Sequence, residues 1–298
     1  MTFFFEVLIG GLLAGVMYSL VALGFVLIYK ASGVFNFAQG AMVFFAAATF
    51  VGLQQDYHIN FWLAIPLALA AMVALGLATE RVVLRPLVNQ PQITLFMATI
   101  GLTFFLEGLV QMFWGSAVRG LDLGLADEPL QWVTDQTGMN VSKFDLVAAG
   151  VAAILVTALA LFFNRTRIGR ALRAVADDHQ AALAVGIPLQ QIWAIVWGVA
   201  GAVALVAGML WGARNGVQFA LTFVALKALP VLILGGFDSV PGAIVGGLII
   251  GATEKLAEVY LGPYVGGGIE GWFPYVLALA FLLVRPEGLF GEKIIRRI

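Results

Sequence analysis

One short stretch of the sequence concentrates charged side chains. Residues 164–188 read NRTRIGRALRAVADDHQAALAVGIP and carry four Arg and two Asp, in a chain of which only 11% is charged. Cationic side chains of this kind bind anionic lipid headgroups or the polar groove of a soluble protein. The chemistry that these residue types indicate is therefore charge-based binding.

The spacing within this stretch predicts a short amphipathic helix. One face carries Ile168, Leu172, Val175 or Ala176, His179 and Leu183, and the other carries Arg170, Arg173, Asp177 and Gln180. Arg173 and Asp177 are four residues apart and can pair, while Gly186 and Pro188 predict the end of the helix. Spacing alone leaves two interpretations open, a helix that lies on the membrane surface or one that fits a protein groove.

Two further ionisable residues, Glu107 and Lys227, lie near the middle of apolar runs. A charge in the middle of a membrane needs a partner or a water-filled cavity, and such residues mark functional sites by default. We therefore expect either a buried structural pair between them or a role as relay or substrate ligands. Glu254 and Glu258, one turn apart near a span end, are interpreted as residues of a mouth or interface.

Two amides, Asn36 and Gln39, follow a break in the apolar pattern at YKASGVFNFAQG. Irregular backbone at membrane depth is tolerated only where protein or water covers it. The amides are expected to line a passage or to make plain interhelical hydrogen bonds. Together with Glu107 and Lys227 they form the candidate translocation path.

Several chemistries are excluded by what the sequence lacks. It contains no Cys and only two His, and neither H-E-x-x-H nor G-x-S-x-G occurs, so we predict no catalytic site, no metal site and no cofactor. The absence of G-x-x-x-x-G-K-[ST] means that the chain cannot cradle ATP phosphates itself. A net charge of −1 gives no indication of nucleic-acid binding.

The elements that must position these residues are membrane-spanning helices. The chain has a mean hydropathy of +0.99 and is 61% hydrophobic, which leaves too little charge for the surface of a soluble domain. Runs of about 20 apolar residues predict helices rather than barrel strands. The predicted spans are 7–29, 34–53, 61–79, 93–114, 144–164, 189–211, 217–235, 240–258 and 270–285. We thus expect an all-α polytopic membrane protein with eight to ten transmembrane helices, a short cytoplasmic helix and one transmembrane domain over residues 1–298. The second and eighth spans are expected to be bent or partly spanning.

The distribution of cationic residues predicts the orientation. Alternating spans place most Lys and Arg on one side, which is the cytoplasmic side. These residues are Lys30, Arg81, Arg85, Arg165, Arg167, Arg170, Arg173, Arg285, Lys293, Arg296 and Arg297. The N-terminus is then outside, the C-terminus and segment 164–188 are inside, and loop 115–143 is an outer loop that either meets a soluble partner or is a solvated connector.

Four ordered motifs carry a resemblance to a known family. RTRIGRALRAVADDHQAALAVGI resembles the cytoplasmic loop of the permease subunits of branched-chain amino acid ABC importers. GLLAGVMYSLVALGFVLIYKASGVFNFAQG is similar to their first hairpin, ERVVLRPL to the exit of their third span, and LILGGFDSVPGAIVGGLIIG to their penultimate hairpin. This chain has Gln39 where many family members carry His.

The resemblance implies that this chain works together with other subunits. Segment 164–188 would be a coupling helix docked on an ATPase subunit through Arg167, Arg170, Arg173, Ala176, Asp177, Ala181, Ala182 and Gly186. The implied partners are two cytoplasmic ATPase subunits, a second homologous permease, an extracytoplasmic substrate-binding protein and the lipid bilayer of a bacterial inner membrane. The implied cargo is a branched-chain amino acid or a related small polar solute. The rival interpretation is a secondary transporter coupled to ions through Glu107 and Lys227, which would need no ATPase.

Overall fold

The computed structural model describes residues 2–87, 90–177 and 179–291, with the side chains of residues 177, 179 and 180 outside that description. Regular secondary structure within these ranges is helical, with isolated β-bridges joining Arg119 to Val217 and Pro129 to Ser142. The predicted all-α class is confirmed. The α-helices are α1 (Thr2–Ser32), α2 (Gln39–Gln55), α3 (Phe61–Ala78), α4 (Gln92–Trp114), α5 (Gln131–Thr137), α6 (Lys143–Arg165), α7 (Arg167–Asp177), α8 (His179–Ala184), α9 (Leu189–Asn215), α10 (Val224–Gly235), α11 (Val240–Val265) and α12 (Phe273–Val284).

Six helices of the described residues are long and apolar enough to cross a membrane, namely α1, α3, α4, α6, α9 and α11. The segments Phe219–Gly235 and Phe273–Val284 are shorter apolar helices. With the 17-residue helix α2, each of the nine predicted spans falls on a helix. The prediction of a polytopic helical membrane protein is confirmed.

The prediction for the eighth span is wrong in one respect. Helix α11 is an unbroken helix of 26 residues, because Ser239 caps it through the backbone N–H of Gly242 and Pro241 stands in its first turn. The preceding residues form the connection rather than a partly spanning segment. The shorter element is the seventh span, where a 3₁₀ turn at Phe219–Phe223 leads into the 12-residue helix α10.

The chain divides into two compact units, and the first comprises Met1–Ala22, Gly124–Thr157 and Leu226–Ile298. Its helices α1 and α11 touch backbone to backbone. A Cβ atom added at Gly11 would lie 2.7 Å from the carbonyl oxygen of Gly251, and one added at Gly247 would lie 2.6 Å from that of Gly15. The glycine pairs therefore allow close helix approach, as their four-residue spacing predicts.

The second unit comprises Leu23–Leu123 and Ala158–Ala225. Helix α2 lies at its centre, packed by α3, α4 and α9, and most of its side chains are buried. Glycines again bring backbones together: a Cβ at Gly76 would lie 2.6 Å from the Trp197 carbonyl oxygen, and one at Gly201 would lie 2.7 Å from that of Met72. The central position of α2 explains why polar residues at its start are shielded from lipid.

Helix α3 ends in an unusual turn. Residues Thr79–Leu84 form a π-helix, in which the Arg85 backbone N–H bonds the Glu80 carbonyl oxygen. The same five-residue spacing brings the two side chains together as a bidentate ion pair, with Arg85 Nε 3.2 Å from Oε1 and Nη2 2.9 Å from Oε2 of Glu80. Pro86 then follows, which prevents the helix from continuing.

Candidate functional site

The charged segment 164–188 is helical over Arg167–Asp177, here called α7, and over His179–Ala184, here called α8. Residue 178, between them, lies outside the described part of the chain. The amphipathic pattern is confirmed for α7, in which Leu172 and Val175 are buried while Arg167 and Arg170 are exposed. Its cationic face is therefore available for binding.

The third arginine, Arg173, has a different role from its neighbours. Its Nη1 donates to the carbonyl oxygen of Phe163 at 3.0 Å and to Asn164 Oδ1 at 3.2 Å, both at the end of α6. Those bonds satisfy carbonyl groups that a helix end leaves unpaired. The pairing of Arg173 with Asp177 stays a prediction, because the Asp177 side chain lies outside the described part of the chain.

The joint between α6 and α7 is tight. Thr166 caps α7, since its hydroxyl accepts from the Gly169 backbone N–H at 3.1 Å and donates to the Phe162 carbonyl oxygen at 2.7 Å. Gly169 lies directly against the Phe163 carbonyl oxygen, where a Cβ atom would clash. Helix α7 is thus fixed to α6 by a cap, a close backbone contact and an arginine bridge.

The far end of the segment returns the chain to a span. Gly186 adopts the left-handed conformation with φ of +84°, which ends α8 as predicted. The Ile187 backbone N–H donates to the Ala182 carbonyl oxygen at 2.9 Å, and Ala182 itself is buried. Ala176 is half-buried and Ala181 is exposed, so the predicted small-residue face is shared between packing and surface.

A cavity of about 330 Å³ opens beside this end of the segment. Its lining includes Glu80, Leu183, Pro188, Leu189 and Trp193. The Glu80 side chain is only 2% exposed and is neutralised by Arg85. The π-turn after α3 and the end of the charged segment thus both contribute to the lining of this cavity.

The two amides of the candidate path come together at the start of α2. Asn36 Nδ2 donates to Gln39 Oε1 at 3.3 Å, and both side chains are fully buried. The irregular backbone before α2 is held by Thr99, whose hydroxyl accepts from the Phe37 backbone N–H at 3.1 Å. Glu107 lies in the same unit, two turns beyond Thr99 on α4, and is 6% exposed.

The remaining path residue, Lys227, belongs to the first unit and is part of a polar cluster. Its Nζ lies 2.8 Å from Glu254 Oε1 and 2.7 Å from the Glu270 carbonyl oxygen. Tyr18 donates to the same Glu254 oxygen at 3.1 Å. The sequence suggested Glu107 as the partner of Lys227, whereas the structure supplies Glu254. The mouth position predicted for Glu254 is wrong, because its side chain is 1% exposed.

The ion pairs that sequence reasoning missed include Glu80–Arg85 and Lys255–Glu270. Glu80 and Arg85 are five residues apart, a spacing that does not align side chains on an α-helix, so no periodic signal marked them. Lys255 pairs with Glu270 at 2.8 Å across a hairpin that only the tertiary structure closes. That hairpin is also held by Glu258, which accepts from the backbone N–H groups of Gly268 and Glu270 at 2.9 Å each.

Comparison with known proteins identifies the family. Over residues 7–284 the chain matches the family described as branched-chain amino acid transport system / permease component. The chain belongs to this family. The predicted resemblance is confirmed, and the chain is a permease component of the ABC-importer class.

Relatives of the family cover the whole chain. The high-affinity branched-chain amino acid transport system permease protein LivH of Escherichia coli (strain K12) is 28% identical over 317 residues, which is 99% of this chain and 98% of that protein. BraD of Pseudomonas aeruginosa, with the same description, is 28% identical over 306 residues with coverages of 99% and 98%. The fructose import permease protein FruF of Bifidobacterium longum is 25% identical over 251 residues, which is 80% of this chain and 66% of that protein.

Proposed function

We propose that this permease forms the membrane path of an ATP-driven importer whose two cytoplasmic ATPase subunits act on segment 164–188. The observation that carries this proposal is the joint between α6 and α7. Arg173 bonds Phe163 and Asn164, and Thr166 caps α7. A force applied to α7 is therefore passed to the membrane-spanning helix α6 rather than absorbed by a flexible linker.

The residues of the segment divide into those that meet the partner and those that hold the segment. Arg167 and Arg170 are exposed and present charge to the ATPase, together with exposed Ala181. Arg173, Ala182 and Gly186 hold the shape of the segment through their internal contacts. Asp177 and Ala176 complete the predicted docking face, with Ala176 half-buried.

The chain itself supplies no ATP site, because the sequence lacks the phosphate-binding glycine loop. We infer that it is a non-catalytic subunit, that a second homologous permease completes the path, and that an extracytoplasmic binding protein delivers the solute. The Lys and Arg distribution supports an N-terminus outside and a C-terminus in the cytoplasm of a bacterial inner membrane. The cargo is a branched-chain amino acid or a related small polar solute, as the relatives' descriptions support.

The proposed path residues of the second unit are Asn36, Gln39 and Glu107, and the proposed path residue of the first unit is Lys227. The first three are buried polar side chains beside the irregular start of α2 or on the helix packed against it. Such backbone at membrane depth is expected to line a passage when the transporter opens. Lys227 contributes through the cluster that it forms with Glu254.

A charge-reversal experiment tests the docking role. Arg170→Glu is placed in the complete transporter, reconstituted in liposomes with its ATPase subunits and binding protein, and both solute uptake and ATP hydrolysis are measured. We expect uptake to fall about tenfold or more while the permease remains inserted, because a reversed charge opposes docking by several kcal/mol.

The matched control is Arg285→Glu, the same change in charge at an exposed arginine after α12. This variant is expected to keep wild-type uptake, since Arg285 lies outside segment 164–188. Unchanged uptake in Arg170→Glu, or an equal loss in both variants, contradicts the proposed coupling surface.

A further inference from the structure

The cavity beside the end of segment 164–188 has the size of a small-molecule site. Its volume is about 330 Å³, and such sites occupy about 300–1,000 Å³. Its described lining residues all belong to the second unit. Gln190 and Gln191 of the lining are exposed, whereas Glu80 and Trp193 are buried. The two amides therefore mark the mouth of the cavity, and the buried pair marks its inner end.

The charge of the lining favours a cation over an anion. Glu80 is the one charged residue among the described residues that line the cavity. Arg85 donates once to each of its oxygens, from Nε to Oε1 and from Nη2 to Oε2. A carboxylate has about four lone-pair positions, so roughly two remain for a ligand. Because the Glu80 side chain is only 2% exposed, water competes little with a donor that reaches it from the cavity.

The rest of the lining favours an apolar group attached to that cation. Leu183, Pro188 and Leu189 contribute aliphatic surface. Trp193 donates its Nε1–H to the Ala31 carbonyl oxygen at 3.0 Å, so what it offers the cavity is its ring. An indole ring attracts a cation that lies over its face. A bare metal ion would leave the aliphatic surface uncovered, whereas an amphipathic organic cation covers it.

We propose that this cavity binds a primary ammonium group attached to an aliphatic group. An ammonium has three N–H donors, enough for the carboxylate of Glu80 and for an amide oxygen of Gln190 or Gln191. Its aliphatic group covers Leu183 and the ring of Trp193, which would otherwise line an empty space. Hydrogen bonds from a cation to a carboxylate are about twice as strong as neutral ones, so Glu80 provides the selectivity of the site.

Two sources supply this chemistry at the face of the membrane that carries segment 164–188. One is a free branched-chain amino acid in the cytoplasm, and the other is the ethanolamine headgroup of a lipid in the inner leaflet. Leu183 belongs to α8 and Glu80 to the π-turn after α3, so a bound ligand links the charged segment to a spanning helix. The inference goes beyond the proposed function, because binding requires neither an ATPase nor transport.

The test is saturation-transfer NMR on the full-length permease in phosphatidylcholine nanodiscs, which detects weak binding of small molecules. Two probes share one branched aliphatic group: 3-methylbutylamine is a cation at neutral pH, and 4-methylvalerate is an anion. We expect the amine to bind at least about tenfold more tightly than the acid, because only the amine donates charge-assisted hydrogen bonds to Glu80. Equal binding of the two probes, or no binding of the amine, overturns the proposal.

Three variants locate the binding. Leu183→Trp fills the cavity and leaves the Glu80–Arg85 pair intact, so we expect it to weaken amine binding about tenfold or more. Val185→Trp is the matched control, because it adds the same ring at a residue that is 76% exposed and outside the described lining. It is expected to bind the amine as the wild type does. Glu80→Gln is expected to abolish the preference for the amine; because it also releases Arg85, Leu183→Trp is the deciding variant. Amine binding that survives in Leu183→Trp, or an equal loss in both Trp variants, overturns the assignment to this cavity.

Two further measurements distinguish the sources of the ligand. Displacement of the amine by leucine identifies a free amino acid, and loss of amine binding in nanodiscs that contain phosphatidylethanolamine identifies the lipid headgroup. Displacement by neither source overturns the proposal. ATP-driven uptake by the complete transporter reports separately on the proposed function: its absence removes the importer function and leaves amine binding to the cavity unaffected.

Discussion

The Lys227 cluster allows one experiment to separate how burial and how N–O distance determine the stability that an ion pair contributes. Lys227 and Glu254 have an N–O distance of 2.8 Å, and their side chains are 29% and 1% exposed. Lys255, the residue next to Glu254, pairs with Glu270 at the same 2.8 Å, but those side chains are 37% and 42% exposed. Each pair has one member on α11, Glu254 or Lys255, so replacement of each lysine by Met compares the same N–O distance in two environments.

Truncation of the buried pair is expected to be costly. Lys227→Met leaves the Glu254 carboxylate without its cation and the Glu270 carbonyl oxygen without its donor. Loss of one member of a buried ion pair destabilises a protein by about 3–5 kcal/mol. The exposed pair is worth about 1 kcal/mol or less, because water and salt screen it. The double variant Lys227→Met with Glu254→Gln is expected to recover most of the loss, since no buried charge is left unpaired and Tyr18 keeps an acceptor.

Equilibrium unfolding in mixed detergent micelles, followed by tryptophan fluorescence, measures these free energies. The expected order of stability is wild type and Lys255→Met close together, the double variant slightly below them, and Lys227→Met far lower. An equal loss for Lys227→Met and Lys255→Met would refute the reasoning, because distance rather than burial would then decide the contribution. A double variant as unstable as Lys227→Met would also refute it.

Two further changes test the packing of α1 on α11 and the joint before α7. Gly247→Ala is expected to lower the free energy of unfolding in the same assay, because its Cβ atom would lie 2.6 Å from the Gly15 carbonyl oxygen. Gly101→Ala, which has open space around it on α4, is expected to raise the free energy of unfolding by up to about 1 kcal/mol through helix propensity. A loss of stability at both positions contradicts the close helix contact. Thr166→Val removes the cap of α7 at a cost of about 1 kcal/mol, so the rate of amide hydrogen exchange in the first turn of α7 is expected to rise about fivefold. An unchanged exchange rate there would show that the hydroxyl does not cap the helix.

Much of the architecture could be predicted from the sequence because lipid imposes simple rules. Each of the nine apolar runs became a helix, since a backbone in hydrocarbon must satisfy its own hydrogen bonds. Small residues repeated every four positions leave one helix face without side chains, which favours close packing, but only the tertiary structure shows that the glycines of α1 meet those of α11. The amphipathic pattern of 164–188 located α7, and Gly186 located the end of α8.

The partners of the buried polar residues were decided only by the tertiary structure. Lys227 finds Glu254, which is 27 residues away, and Tyr18, which bonds the same carboxylate, is 236 residues from Glu254. Periodicity reports which face of a helix a residue occupies but not which other helix meets that face. Pairing at such separations depends on how the helices cross, and crossing angles follow from side-chain packing over the whole interface.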